Sequence, residues 1–165
     1  RCPQAGHGAV KPKPGWLVDK LAALCRKANK GQGWGYELQS SFTPGSYDYI
    51  QVATYLPGAF YGAHVDVKWT NGVIKPGMGK RHVAVVMLLN DPLTDYEGGR
   101  LHYYVVNENA PEPTFAPEEM ATVITWRAET VFHGVTEVTK GIRKVLVWWM
   151  RQPDTPEAEK AHDEL

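Results

Sequence analysis

Two side chains in the stretch Tyr61-Gly62-Ala63-His64-Val65-Asp66 carry donor atoms suited to a divalent metal. His64 and Asp66 are two positions apart, and on an extended strand side chains at i and i+2 point to the same face. An imidazole nitrogen and a carboxylate oxygen would converge there. A second imidazole would complete a facial triad, the arrangement that suits non-haem Fe(II) and leaves positions open for oxygen and a co-substrate. A His-x-Asp tripeptide arises often by chance, so the weight of this reading rests on the rest of the chain.

His133 is the candidate second imidazole. It lies 67 positions after Asp66, in a strand-like segment near the end of the chain. Ten positions further on is Arg143, expected on a hairpin partner of that strand. An arginine so placed can clamp a carboxylate through two parallel N–H···O bonds, which a metal pocket needs when its co-substrate is a dicarboxylate. His7 and His162 sit in the termini, while His82 and His102 lie in strands where a core or surface role is the simpler reading.

These residues need a scaffold, and the chain supplies a mainly β one. Leu17, Leu21, Leu24, Cys25 and Ala28 recur at helical spacing, which predicts one helix over 15–29 with Gly31 marking its end. Residues 1–14 read as an irregular lead-in. Strands are expected at Trp34–Leu38, Tyr47–Leu56, Phe60–Trp69, His82–Leu89, Arg100–Val106, Met120–Trp126, Thr130–Val138 and Ile142–Met150. The nearly continuous apolar run His82–Leu89 predicts a strand buried on both faces. Asn71-Gly72 and Pro76-Gly77-Met78-Gly79 predict a loop after the His-x-Asp strand, by position a mobile lid. Residues 107–119 read as an excursion loop, and Thr139-Lys140-Gly141 as a hairpin turn. One helix with seven or eight short strands predicts a mostly antiparallel sandwich or jelly roll, in a single domain over 1–151 with its core at about 47–150. A polar tail follows over 152–165.

Composition excludes several classes. With 43% hydrophobic and 22% charged residues the chain is not disordered as a whole. Lys+Arg and Asp+Glu are both 18, so no general basic footprint for nucleic acid exists. No apolar run approaches the roughly 18 residues needed to span a bilayer. Cys2 and Cys25 permit at most one disulfide. The chain begins at Arg1 without Met, read as a mature or trimmed form. Its last residues, His162-Asp163-Glu164-Leu165, match a retention address of the endoplasmic reticulum, so that lumen is the expected location.

His64-x-Asp66, His133 and Arg143 together resemble the signature of 2-oxoglutarate- and Fe(II)-dependent dioxygenases, over roughly Tyr49 to Met150. The resemblance is closest to prolyl 4-hydroxylases, with some features of lysyl hydroxylases. It implies a double-stranded β-helix (jelly-roll) core. His64, Asp66 and His133 would be the Fe(II) ligands and catalytic centre, while Arg143 and Tyr55 would bind 2-oxoglutarate. Tyr61, Arg81 and Trp149 fall where those enzymes meet a peptide substrate. By strand parity Trp149 shares a face with Arg143. Asp95-Tyr96-Glu97-Gly98-Gly99 is similar to the Glu-Gly-Gly turn of the superfamily.

Two departures stand out. Arg143 replaces the lysine usual in collagen-type prolyl 4-hydroxylases, and Met120-Ala121 replaces a common Gly-Asp turn before the distal histidine. The resemblance implies hydroxylation of peptidyl proline, or next peptidyl lysine, coupled to conversion of 2-oxoglutarate and O2 to succinate and CO2, with ascorbate as a further cofactor. The alternatives are an oxygenase of free amino acids or natural products, and a catalytically silent binding module of the same fold. Oligomeric state is left open.

Overall fold

The computed structural model describes residues 5–10, 15–40, 47–67, 69–70, 73–74, 81–104 and 112–151. In chain order it holds strand β1 (Ala5–Val10), helix α1 (Trp16–Gly31), β2 (Ile50–Tyr55), β3 (Tyr61–His64), β4 (Trp69–Thr70) and β5 (Val73–Ile74). Next come β6 (Arg81–Leu88), β7 (Tyr96–Gly98), β8 (Leu101–Tyr104), β9 (Pro113–Phe115) and β10 (Val123–Arg127). Strands β11 (His133–Val135), β12 (Val138–Gly141) and β13 (Arg143–Arg151) complete the set. Five strands make a major sheet in the order β1-β2-β13-β6-β10, and four make a minor sheet in the order β3-β11-β8-β9. Pairing within both is antiparallel. This is the jelly roll that the pattern of short strands predicts, in the double-stranded β-helix form that the resemblance implies.

The period-2 geometry of the central strands divides the interior into two cores. On β6 and β13, Ala84, Val86, Leu88, Val145 and Trp149 join Ala53 and Tyr55 of β2 and Leu101 and Val135 of the minor sheet. The intervening residues Val83, Val85, Leu146, Trp148 and Met150 pack against Val18, Leu21, Ala22 and Cys25 of α1. Both faces of these strands are therefore covered, which explains their continuous apolar runs. A 16-residue helix is marginal in water on its own; the buried stripe on α1 supplies what holds it. Cys25 is a free thiol with no exposed surface, and burial pushes its pKa up to about 12.

Several elements differ from the pattern. Ala5–Val10, expected to be irregular, runs antiparallel to β2; its sequence has no large apolar alternation, and backbone pairing at a sheet edge needs none. Helix α1 extends to Gly31 rather than 29, and its buried face is Val18, Leu21, Ala22 and Cys25, with Leu24 exposed. No strand forms at Trp34–Leu38. There the Asn29 amide accepts from Tyr36 N (3.1 Å) and donates to Tyr36 O (2.8 Å), taking the place of a ladder partner. Within the expected excursion loop, Pro113–Phe115 pairs with β8 as an edge strand, where a proline at the strand start loses nothing. Thr139-Lys140-Gly141 is no hairpin turn: β12 pairs with β7, and β13 with β2 and β6. The expected lid turns and the tail at 152–165 lie outside the described residues.

Met120-Ala121 carries a local strain. Ala121 has φ of 64°, the sole non-glycine residue with positive φ among the described residues. Its N–H still bonds Leu88 O at 3.1 Å, so the turn is fixed by β6. Ala121→Gly is expected to stabilise the fold by about 0.5–1 kcal/mol, because glycine adopts this conformation without a Cβ clash. Urea denaturation checks it, as a raised midpoint at unchanged slope.

Candidate active site

Strand β11 lies between β3 and β8 in the minor sheet, and its register sets His133 opposite His64. That pairing brings the imidazole ring centroids to 4.4 Å. Asp66 lies in a bend past the end of β3 rather than on the strand itself. Its backbone N–H donates to Ala128 O at 3.0 Å, which ties the bend to the turn after β10. The Asp66 carboxylate then meets both rings, with Oδ1 at 3.7 Å from His64 Nε2 and 3.8 Å from His133 Nε2. One donor atom from each residue falls within 4.8 Å of the others, close enough to hold a metal ion.

The two rings are oriented from behind. His64 Nδ1 is 2.9 Å from Gly62 O, and His133 Nδ1 is 3.0 Å from Val131 O. With the proton on Nδ1 donated to a carbonyl, each Nε2 presents its lone pair to Asp66 Oδ1, the tautomer that metal ligation needs. Burial favours neutral His133 and holds its pKa below the ordinary value, although Asp66 pulls the other way. Burial also opposes ionisation of Asp66, but His64, His133 and Trp149 together outweigh it, and its pKa lies below the usual carboxylate value. The two directions favour a neutral imidazole at His133 and an anionic carboxylate at Asp66.

Both shifts have the same consequence for the metal-free protein. A folded-state pKa below the unfolded one means that the unfolded chain binds more protons between the two values, so stability falls on acidification. For His133 the loss begins as pH drops below about 6.5, and for Asp66 below about 3.9. Urea midpoints of the metal-free protein are expected to fall between about pH 7.5 and 5.5, with a smaller fall in His133→Gln.

Arg143 opens β13 directly after the tight connection Gly141-Ile142 and sits opposite Tyr55 of β2. It is 1% exposed, with its Cζ 5.2 Å from the centre of the Tyr55 ring. Nε and Nη1 have no hydrogen-bond partner. An uncompensated buried charge is strongly destabilising, so this guanidinium fits an anionic ligand taken into the same pocket. Gly99, with φ of +62°, packs on it: a Cβ there would come within 2.8 Å of Arg143 Cδ and 2.7 Å of Val138 Cγ2. Gly99, the second glycine of the Glu-Gly-Gly turn, thus makes room for the arginine. Tyr96, in the same turn, has a buried hydroxyl with no partner; burial raises its pKa and the Arg143 charge partly offsets that.

The metal cluster and Arg143 line one pocket with Gln51, Tyr55, Tyr61, Trp126 and Trp149, walled by Val86, Leu101, Val135, Val145 and Val147. The donor set and the guanidinium with its unpartnered Nε and Nη1 fit Fe(II) and 2-oxoglutarate. Tyr61 is at the mouth, 38% exposed, with its ring 4.6 Å from that of His64. Trp149 is buried on the same face as Arg143, as parity predicts.

Arg81 is outside the pocket lining. It is held by Asp48 through Nε at 2.7 Å and Nη2 at 2.6 Å, reaches Asp66 O from Nη1 at 3.3 Å, and stacks on Trp149 at 3.8 Å. Its guanidinium is thus committed to the protein. Trp126 was not singled out by the sequence. Its Nε1–H donates to Asp66 Oδ2 at 3.1 Å and its ring lies 4.5 Å from His133. Only its place on a strand adjoining the His133 segment could have pointed to it.

Comparison with known proteins gives three findings. Residues 50–151 match the family model of the 2OG-Fe(II) oxygenase superfamily. A PKHD-type hydroxylase of Picosynechococcus sp. is 33% identical over 113 residues, covering 68% of this chain and 46% of the relative. The chain spans about half the length of the curated relatives it matches. Among solved structures, the viral collagen prolyl hydroxylase of Paramecium Bursaria Chlorella virus-1, in complex with 2OG, aligns with a TM-score of 0.60 at 16% identity. That alignment covers 91% of this chain and 80% of the other. A Trichoplax adhaerens prolyl hydroxylase, in complex with a hypoxia inducible factor oxygen degradation domain peptide fragment, aligns with a TM-score of 0.59 at 21% identity. It covers 88% of this chain and 57% of the other.

Proposed function

The chain belongs to the 2OG-Fe(II) oxygenase superfamily, and on that premise we propose that it hydroxylates peptidyl residues, proline first and lysine next. The reaction consumes 2-oxoglutarate and O2 and yields succinate and CO2 with the alcohol. The observation that carries the reading is the pairing, in one pocket, of a His-Asp-His donor set with a buried arginine whose Nε and Nη1 are unpartnered.

In this reading His64 Nε2, Asp66 Oδ1 and His133 Nε2 hold Fe(II). Bound there, Fe(II) would let O2 act as the oxidant, with oxidative decarboxylation of 2-oxoglutarate supplying two of its electrons and the C–H converted to C–OH the other two. The residues around them do the positioning. Arg143 takes the carboxylate of 2-oxoglutarate remote from the metal, with Tyr55 beside it. The valine and leucine walls exclude water, and Tyr61 and Trp149 hold the substrate chain at the mouth. The role of Arg81 is indirect: pinned by Asp48, it stacks on Trp149 and so sets the face that the substrate meets.

Two features support a peptide substrate. Tyr61 lines the pocket and is 38% exposed at its opening, and an aromatic there suits a pyrrolidine ring or a lysine stem. A structural neighbour also holds a peptide fragment. For a secretory substrate the support is His162-Asp163-Glu164-Leu165, which would retain the enzyme in the lumen of the endoplasmic reticulum; ascorbate would then maintain the ferrous state.

Succinate release is expected to rise at least about tenfold with proline-rich peptides over peptide-free enzyme. A rise only with lysine peptides, or only with free amino acids, would replace the substrate. Absence of turnover with all of them, alongside intact metal binding, would point to a silent binding module. Deleting residues 162–165 from the chain in a secretory cell is expected to move it to the medium.

A further inference from the structure

We infer that Trp126 is a positioning residue of the metal centre, fixing Asp66 as a one-oxygen ligand. The inference rests on the metal-binding reading above and goes beyond it to a residue outside the ligand set. The Asp66 carboxylate is divided between two tasks. Oδ1 faces both imidazoles, at 3.7 Å and 3.8 Å, while Oδ2 accepts the indole N–H of Trp126 at 3.1 Å. A carboxylate with both oxygens free can chelate a metal through two of them and take an extra coordination position. Here the second oxygen already accepts a hydrogen bond from Trp126, which orients it away from two-oxygen chelation.

The indole is well held for this. Trp126 is 8% exposed, lies in β10 opposite Ala84 of β6, and sets its ring 4.5 Å from His133. One side chain therefore touches two of the three ligands. The next residues reinforce the contact, since Ala128 O accepts the Asp66 backbone N–H at 3.0 Å. The carboxylate and its backbone are thus both fixed from β10 and the turn that follows. Indole has a single donor and no acceptor, and here that donor is spent on Asp66 Oδ2. With Asp66 ionised, that bond is charge-assisted.

Trp126→Phe keeps the ring and removes the N–H, which makes it the direct test. Outer partners of metal ligands typically change affinity by about 10–100-fold, and Mn(II) binding by calorimetry is expected to weaken about tenfold or more. With Oδ2 released, the visible spectrum of the Co(II)-loaded protein is also expected to change in intensity as the coordination number changes. A purely structural role would lower the melting temperature and leave the Co(II) spectrum as it is. A wild-type measurement guards against a variant that does not fold: the Trp126 indole N–H resonance of the full chain is expected to shift when Zn(II) is added. If wild-type binds Mn(II) and Zn(II) but the resonance does not move, or Trp126→Phe binds within twofold with an unchanged spectrum, the inference is overturned and the metal centre stands. If wild-type binds no metal, the metal-centre reading fails and this inference with it.

Discussion

In Asp66→Ala, Mn(II) affinity is expected to fall by more than about 100-fold and succinate formation to drop to background. Changing an outer partner alone costs about 10–100-fold, and here a ligand and the site's only anionic donor are lost together. An imidazole ligates a metal in its uncharged form, so with Asp66 gone no ligand offsets the charge of a divalent ion. The substitution also strands Trp126 Nε1, which bonds Asp66 Oδ2 in the native protein. An orphaned buried donor costs about 1–3 kcal/mol. Asp66→Asn separates the two effects, because the amide carbonyl can still accept from the indole while the anionic ligand is gone. Calorimetric metal titration should show both variants weak, with Asp66→Asn the more stable in a thermal melt. Native-like affinity in either variant would remove Asp66 from the ligand set.

Arg143→Ala acts on the co-substrate instead. Two donors of its buried guanidinium, Nε and Nη1, have no partner in the protein. Hydrogen bonds to charged groups contribute about 1.5–3 kcal/mol each, so two correspond to about 10²- to 10⁴-fold in affinity at 1.4 kcal/mol per decade. The KM for 2-oxoglutarate is expected to rise by at least about 100-fold while Mn(II) affinity holds. Arg143→Lys should recover part of the loss, since it keeps the charge without the planar fork. An unchanged KM would exclude Arg143 as the clamp. Because Gly99 packs on Arg143 Cδ, the lysine stem has room to follow the same path.

How far the sequence speaks depends on whether a residue's role is carried by spacing or by contact. His64, Asp66 and His133 are legible because metal ligation restricts residue types and the strand period restricts their offsets. Arg143 and Trp149 share a face through the same period. Asp66 shows the limit: the strand ends at His64, and the carboxylate reaches the site from a bend held by Ala128 O. Arg81 shows another, since its offset says nothing of Asp48, 33 positions away, which holds its guanidinium. Trp126 was invisible for the same reason, as its bond to Asp66 spans 60 positions. Ala5–Val10 left no signal because an edge strand can be held by backbone pairing alone. The supposed hairpin at Thr139-Lys140-Gly141 failed because turn chemistry is local, while the partner of β12 is β7.

Strand β13 spends its alternate residues on unrelated duties. Arg143, Val145, Val147 and Trp149 face the pocket, and Leu146, Trp148 and Met150 face the helix. Substitutions on these two faces can therefore accumulate independently, and α1 can be repacked during divergence without disturbing the chemistry. Insertions and deletions have no such freedom. A single residue gained or lost in β13 would exchange the two faces along the strand, bringing Lys144 or Ile142 to the place of Arg143 and the bulk of Trp148 into the pocket. Length variation among descendants of this chain should then be confined to its connections, with β13 kept at constant length.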